Sequence, residues 1–173
     1  MSLNTLEEIA EYIVSDGKGI LAADESNPTC GKRFDSIGVE STETNRRDYR
    51  EMLFRATGMK DNIGGVILFD ETIRQNAEDG TPLVDLIKNQ GALPGIKVDK
   101  GLAPLESSPD ETVTQGLDGL DERCKEYVSL GAKFTKWRAV IKISDTIPSD
   151  ECIEANMQAL AKYAKIVQDN NMV

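Results

Sequence analysis

The amino-acid sequence contains no histidine. Histidine is the commonest general base near neutral pH and the commonest metal ligand in proteins. A zinc hydrolase site, a Ser-His-Asp triad and a Cys-His pair contained within these 173 residues are therefore excluded. Any chemistry must use lysine, aspartate, glutamate, tyrosine, serine or cysteine side chains, and we expect neither a metal ion nor a cofactor.

Cysteine is scarce, since Cys30, Cys124 and Cys152 are the three residues of this type and lie far apart. Their spacing matches neither a disulfide framework nor a zinc knuckle. We therefore expect three reduced thiols that are buried or half-buried, in a reducing compartment.

Long hydrophobic runs and an excess of basic residues are also missing. The longest apolar runs, residues 66–69 and 139–141, are too short to span a membrane, and the acidic N-terminus is unlike a secretory signal. The chain has 20 Lys and Arg against 30 Asp and Glu, a net charge of −10. This balance predicts a cytoplasmic protein without a nucleic-acid or membrane partner. A small anionic substrate stays compatible, because it needs only a local cationic cluster.

Segments in which apolar residues recur at helical spacing alternate along the sequence with short apolar runs typical of strands. Thr5 to Glu8 form a capping box that predicts an N-terminal helix. Strands are predicted at residues 19–23, 65–69, 95–99 and 134–140, and further helices at 45–56, from Pro82, at 117–130 and from Ser149. The last helix carries Ile153, Met157, Leu160, Ala164 and Val167 at helical spacing, and residues 104–115 are predicted to form a surface loop. Without a linker, residues 1–173 are predicted to form a single domain with a parallel sheet.

Two parallel architectures, an open doubly wound sheet and a closed barrel, fit this alternation. An open nucleotide-binding sheet usually has a glycine-rich loop after its first strand, whereas Asp24-Glu25-Ser26 follows here. Charges within strands suit a barrel whose upper lumen is an active site. We therefore predict a (β/α)8 TIM barrel, which needs about 250 residues, with this chain supplying the first four β/α units.

Polar side chains lie at the predicted carboxyl ends of all four strands, where barrel active sites are found. Lys136 and Arg138 alternate on one face, and a neighbouring cation makes a lysine amine more nucleophilic. The alternative is a solvated pair on an edge strand. Lys97 is predicted to bind phosphate or to form a structural ion pair with Asp99.

The first strand ends in a second polar group. Asp24 is predicted to be a base or to orient a lysine, or else to cap a turn. Ser26 and Thr29 are predicted to bind phosphate at a helix N-terminus, or else to be plain caps. Lysines and carboxylates around an anionic pocket, without histidine, indicate Schiff-base or enamine chemistry.

Five motifs resemble the class I fructose-1,6-bisphosphate aldolase family in order and spacing. They are Gly19-Ile-Leu-Ala-Ala-Asp-Glu-Ser26, Gly64-Gly-Val-Ile-Leu-Phe69, Gly95-Ile-Lys-Val-Asp-Lys-Gly101, Thr114-Gln-Gly-Leu-Asp-Gly-Leu120 and Lys136-Trp-Arg138. The resemblance implies metal-independent Schiff-base cleavage of fructose 1,6-bisphosphate to dihydroxyacetone phosphate and glyceraldehyde 3-phosphate. It also implies a homo-oligomer, tetrameric in the full-length family.

The resemblance further implies roles for single residues. Asp24 corresponds to the catalytic aspartate of carbinolamine formation and carbon–carbon cleavage, and Lys136 to the lysine that aids proton transfer. The positions expected near the substrate are Lys97, Ser26 and Thr29 at the 6-phosphate, Arg138 beside the catalytic lysine, and Arg33 and Arg46.

The Schiff-base lysine of the family lies on a later strand, beyond Val173. Asn171 to Val173 resemble the start of the fifth strand. We therefore expect this chain alone to have negligible aldolase activity. The alternatives are a non-catalytic half-barrel that serves as a binding or assembly module, and another lysine-dependent barrel aldolase or transaldolase.

Overall fold

The computed structural model describes residues 3–173. The strands are β1 (Gly19–Ala23), β2 (Ile63–Leu68), β3 (Leu93–Lys97), β4 (Leu102–Pro104), β5 (Thr112–Thr114) and β6 (Phe134–Lys136). The helices are α1 (Leu6–Ile13), α2 (Asn27–Asp35), α3 (Glu43–Phe54), α4 (Met59–Asn62), α5 (Asp70–Ile73), α6 (Leu83–Asn89), α7 (Leu120–Ser129) and α8 (Asp150–Asp169). Residues 1 and 2 of the predicted domain lie outside this range.

The central sheet has four parallel strands in the order β1-β2-β3-β6. Helices connect each strand to the next, so the predicted succession of four β/α units is confirmed. The remaining strands, β4 and β5, form an antiparallel hairpin after β3.

Side chains alternate between the two faces of the sheet, as the period of a strand requires. One face packs against the helices in the main core, to which Ala23, Val66, Leu68, Ile96 and Val98 contribute. The other face carries the residues between these positions and turns its polar groups into a cleft. Trp137 lies on the helix side, stacked on Tyr163 of α8 at 5.0 Å between ring centroids.

The amino-terminal end of the concave face is filled by a small apolar cluster of Ile9, Ile13 and Phe134. The Phe134 ring lies over Gly65 of β2 and Gly95 of β3, which have no side chains. A Cβ atom built on Gly95 would lie 2.3 Å from the ring, and one on Gly65 would lie 3.0 Å from it. The cleft therefore has a closed floor below Lys136, which follows Phe134 by two residues on the same face.

The structure corrects the sequence prediction at four places. Residues 27–35, which are not among the predicted helix ranges, form helix α2. The strand expected at 134–140 ends at Lys136. The segment predicted as a surface loop contains strand β5. In α8, Val167 is buried, but Ile153, Met157 and Leu160 are exposed.

The buried face of α8 explains the last correction. Cys152, Asn156 and Ala159 lie on it, and Asn156 Nδ2 donates a hydrogen bond of 2.9 Å to the carbonyl of Thr112. A polar residue at the centre of a buried face is not visible in hydrophobic periodicity. The cap predicted at Ser149 is confirmed, since its hydroxyl accepts from Cys152 N at 3.2 Å.

The outer edge of β6 is paired to the last residue of the chain. Val173 N donates to the carbonyl of Lys133 at 3.2 Å, and Val173 O accepts from Thr135 N at 2.6 Å. Val173 is thus bonded to the edge of β6 as a neighbouring strand residue is.

The three cysteines are free and buried, as predicted. Burial raises the pKa of the Cys124 thiol to about 11. Over residues 3–173, no helix is long and apolar enough to cross a membrane.

Candidate active site

A cleft of about 920 Å³ opens at the carboxyl ends of the parallel strands. This volume is within the range of small-molecule sites in proteins. Seven of the eight residues singled out from the sequence line it: Asp24, Ser26, Thr29, Arg33, Lys97, Lys136 and Arg138. The arrangement agrees with the expectation that the strand ends meet at one rim.

The centre of the cleft is an ion pair between Asp24 and Lys136, with Nζ and Oδ2 2.6 Å apart. The Asp24 side chain is 9% exposed, whereas that of Lys136 is 34% exposed. The aspartate is therefore held in a partly dry position, while the lysine also reaches the open cleft. A donor and an acceptor at this distance can exchange a proton with a reactant placed beside them.

Lys97 forms the second ion pair of the concave face. Its Nζ lies 2.8 Å from Asp99 Oδ1, so the structural pair considered from the sequence is present. Lys97 and Lys136 are register partners on neighbouring strands, which places two cations side by side. Lys97 also lines the cleft, so the ion pair and a role in binding an anion are compatible.

Ser26 and Thr29 lie at the start of α2, next to the end of β1. Ser26 is the residue before the first turn, but its hydroxyl caps no backbone amide. It lies instead 3.1 Å from the Thr29 hydroxyl. Two hydroxyls beside helix N–H groups form a polar surface suited to phosphate oxygens.

The two arginines predicted from the sequence to bind substrate have different surroundings. Arg33 lines the cleft and pairs with Glu25. Arg46 does not line it, and its guanidinium binds both carboxylate oxygens of Glu71 at 2.7 and 2.6 Å. These hydrogen bonds from Arg46 lower the pKa of Glu71 below its ordinary value.

Two further arginines hold the backbone at strand ends. Arg50 of α3 is 1% exposed and binds the end of β1. Arg123 of α7 donates to the carbonyls of Val98 and Gly116 beyond β3. Sequence reasoning missed both. The available signal is the position of Arg50 four residues before the buried Phe54, which puts a charge on the inward stripe of a helix.

The wall of the cleft on the α5 and α7 side carries a separate ionic network. Asp70 accepts hydrogen bonds of 2.9 Å from Tyr127 and from Arg74, and Arg74 also pairs with Glu126. Burial raises the pKa of Asp70, but the bonds from Arg74 and Tyr127 outweigh it and lower the pKa below its ordinary value. Within residues 3–173, no cluster of three or more Cys, Asp or Glu side chains could hold a metal ion.

Residues 5–173 match the family model described as glycolytic fructose-bisphosphate aldolase class-I. The chain is 54% identical over 173 residues to a probable fructose-bisphosphate aldolase class 1 of Xanthomonas campestris, covering 100% of this chain and 52% of the relative. It is 57% identical over 169 residues to fructose-bisphosphate aldolase C-A of Danio rerio, covering 97% and 46%. A relative of Arabidopsis thaliana, 56% identical, is named fructose-bisphosphate aldolase 6, cytosolic, with coverage of 95% and 46%.

The fold agrees with a solved structure. This is a fructose-bisphosphate aldolase of Plasmodium falciparum in complex with TRAP and a small-molecule inhibitor, with a TM-score of 0.94 and 49% identity over 97% of this chain and 49% of that chain. The chain thus spans about half the length of the relatives it matches. The predicted fold class, four parallel β/α units of a TIM barrel, is confirmed.

Proposed function

This chain belongs to the class-I fructose-bisphosphate aldolase family, and we propose that it supplies the phosphate-binding and proton-transfer side of a site that cleaves fructose 1,6-bisphosphate. The products are dihydroxyacetone phosphate and glyceraldehyde 3-phosphate, and the reaction is metal-independent, through a Schiff base. The observation that carries the proposal is the 2.6 Å contact between Asp24 and Lys136 inside a cleft that also holds Lys97.

Asp24 and Lys136 take the acid–base roles. The carboxylate of Asp24 accepts a proton during carbinolamine formation and carbon–carbon cleavage. The ammonium of Lys136 donates one near the Schiff-base nitrogen. Their contact supports this division, because a proton passed from Asp24 to Lys136 returns both groups to their starting protonation states after the transfers.

Lys97, Ser26 and Thr29 bind the 6-phosphate. The lysine supplies a point charge, and the hydroxyls and the start of α2 supply donors. Arg138 and Arg33 line the same cleft and attract the anionic substrate. Arg46 acts indirectly, because its guanidinium is engaged by Glu71.

Lys136 assists and does not itself form the Schiff base. Both lysines of the concave face are held by carboxylates at 2.6 and 2.8 Å, which suits proton transfer and charge binding. We therefore expect the isolated polypeptide of 173 residues to bind the sugar phosphate with negligible turnover. Borohydride in the presence of dihydroxyacetone phosphate is expected to trap neither lysine. Covalent trapping at Lys136 would contradict this assignment.

Isothermal titration calorimetry with fructose 1,6-bisphosphate and with fructose tests the binding role. The bisphosphate should bind and fructose should not, because the cleft recognises phosphate by charge. Lys97→Met should weaken binding about tenfold or more, the effect of losing a charge-assisted contact. Lys125→Met is the matched control, because Lys125 lies on α7 with its side chain 66% exposed and paired to Asp121. Equal binding of fructose, or equal losses in the two variants, would overturn the proposal.

The family resemblance also supports a homo-oligomer and a cytosolic location. The exposed apolar residues Ile153, Met157 and Leu160 on α8 favour self-association, which the alternative of a half-barrel assembly module also predicts. Sedimentation equilibrium of wild type and Met157→Lys tests this. A monomeric wild-type chain would exclude self-association.

A further inference from the structure

Arg50 is a buried charge to which the proposed reaction gives no role. It extends from α3, and its side chain is 1% exposed. Long charged side chains are almost never fully buried unless their donors are satisfied. The partners of this guanidinium therefore indicate what the residue does.

Its contacts lie on both sides of Asp24. Arg50 Nε donates to the carbonyl of Ala23 at 3.3 Å, and Nη2 donates to the carbonyl of Glu25 at 2.7 Å. Nη2 also lies 3.3 Å from Glu25 Oε2, and Nη1 contacts Cys30 Sγ at 3.0 Å. The guanidinium thus binds the peptide group that precedes Asp24 and the one that follows Glu25, at the point where β1 ends.

We propose that Arg50 is a positioning residue that holds the end of β1 so that the Asp24 carboxylate meets Lys136. This inference rests on the proposed function, in which these two groups move protons. Arg50 itself does not touch the cleft. It acts through the backbone, because fixing the peptide groups before Asp24 and after Glu25 sets the path of the chain through Asp24 and so the direction of its side chain.

Arginine suits this position better than lysine. Its five N–H donors lie in one rigid plane, so two carbonyls on either side of a residue can be bound at once. Lysine offers a single ammonium on a flexible stem and cannot span both carbonyls in the same way. Arg50→Lys therefore keeps the positive charge but loses the simultaneous hydrogen bonds to the Ala23 and Glu25 carbonyls.

The test measures how well Asp24 holds Lys136, through the rate of reductive methylation of single lysines. Formaldehyde with cyanoborohydride labels amines at a fixed pH, and peptide mass spectrometry reports Lys136 and Lys97 separately in the folded chain. An ion-paired amine reacts slowly. Asp24→Asn and Arg50→Lys should each raise labelling of Lys136 about fivefold, the effect expected for one partly exposed ion pair, and leave Lys97 unchanged.

Arg46→Lys is the matched control. Arg46 lies one turn earlier on α3 and is also largely buried, but it binds Glu71 and not the end of β1. Labelling of Lys136 in this variant should stay at the wild-type rate. Circular dichroism confirms that each variant is folded.

Three results would overturn the proposal. The first is labelling of Lys136 at the wild-type rate in Arg50→Lys, and the second is the same result in Asp24→Asn. The third is an equal rise in the labelling rates of Lys136 and Lys97, which would indicate a general loosening of the fold. If Arg50→Lys does not fold, Glu25→Gln replaces it. That variant keeps the Glu25 carbonyl bound by Arg50, so a rise of Lys136 labelling to the Asp24→Asn rate would contradict the role of the backbone contacts. No substrate is involved, so these outcomes are independent of whether fructose 1,6-bisphosphate binds.

Discussion

Asp24 follows β1 and Lys136 ends β6, the two outermost strands of the parallel sheet, yet their side chains meet at 2.6 Å across its concave face. Two strands, β2 and β3, lie between them. Because neighbouring strands are about 4.8 Å apart, a flat sheet would separate the outer strands by about 14 Å. The contact therefore depends on the curvature of the sheet as well as on the reach of the lysine.

The two members of this pair should contribute unequally to stability. Lys136→Met leaves a carboxylate that is 9% exposed without its partner, and we expect a loss of about 1–3 kcal/mol in the free energy of unfolding. Asp24→Asn leaves a lysine that is 34% exposed and can turn to water, so its loss should stay below about 1 kcal/mol. Urea denaturation at pH 7 measures both. Equal losses, or a larger loss for Asp24→Asn, would mean that burial does not set the cost.

The floor of the cleft should be sensitive to a single methyl group. Gly95→Ala places a Cβ atom 2.3 Å from the Phe134 ring, which must move, and we expect a loss of about 1–3 kcal/mol in the free energy of unfolding. Gly31→Ala is the control, because its nearest neighbour is 3.8 Å away and it lies in α2, where alanine stabilises by up to about 1 kcal/mol. Thermal unfolding of the two variants should shift in opposite directions.

Glu111 should make the docking of the β4–β5 hairpin pH-dependent. Hydrogen bonds of 2.7 Å from the hydroxyl and the amide of Ser149 lower the pKa of Glu111 below its ordinary value of 4.5. A lowered folded-state pKa stabilises the fold above the unfolded pKa, and this contribution is lost as pH falls through the folded one. Glu111→Gln should therefore be less stable than wild type at pH 7, and the difference should shrink below about pH 4.5.

Ser149→Ala is the companion variant for that titration. It removes the hydroxyl bond and leaves the amide bond to Glu111. Its pH dependence between pH 3 and 7, followed by urea denaturation, should lie between those of wild type and Glu111→Gln. A difference between wild type and Glu111→Gln that is constant over this range would show that the carboxylate is not the titrating group.

The three cysteine thiols should not react with a thiol reagent until the chain unfolds. Cys30 and Cys124 are 0% exposed and Cys152 is 1% exposed, and burial raises the pKa of Cys124 to about 11. Because the thiolate is the reactive species, the native chain should react with Ellman's reagent at pH 8 only at the rate of unfolding. In denaturant, three thiols should react at once. Rapid reaction of one thiol in the native chain would contradict its burial.

The strands and their parallel order could be predicted because their signals are local. Short apolar runs and turn residues place β1, β2, β3 and β6 within a few positions. Alternation along the predicted strand 134–140 puts Lys136 and Arg138 on one face, and both line the cleft. A helix N-terminus was considered at Ser26 and Thr29, but no helix range was predicted there because Pro28 and the polar residues around it also suit a turn. Whether such a segment becomes a helix depends on the packing of Cys30 and Phe34, which the local sequence does not show.

The strand pattern predicted only those members of the candidate site that lie at the ends of strands. Asp24, Lys97 and Lys136 follow or end strands, so their meeting place results from the topology alone. The pairing of Arg46 with Glu71, and of Arg50 with the end of β1, depends on how α3 lies against the sheet. Such contacts join residues about 25 positions apart and leave no periodic trace in the sequence.

The first helix of the chain completes its packing very late. Ile9 and Ile13 of α1 bury their side chains against Phe134, which follows more than one hundred residues later. At ribosomal rates of about 5–20 residues per second, the apolar stripe of α1 emerges roughly ten seconds before its partner is synthesised. During that interval Ile9 and Ile13, which later form part of the floor of the cleft, lack the aromatic ring that covers them in the folded chain.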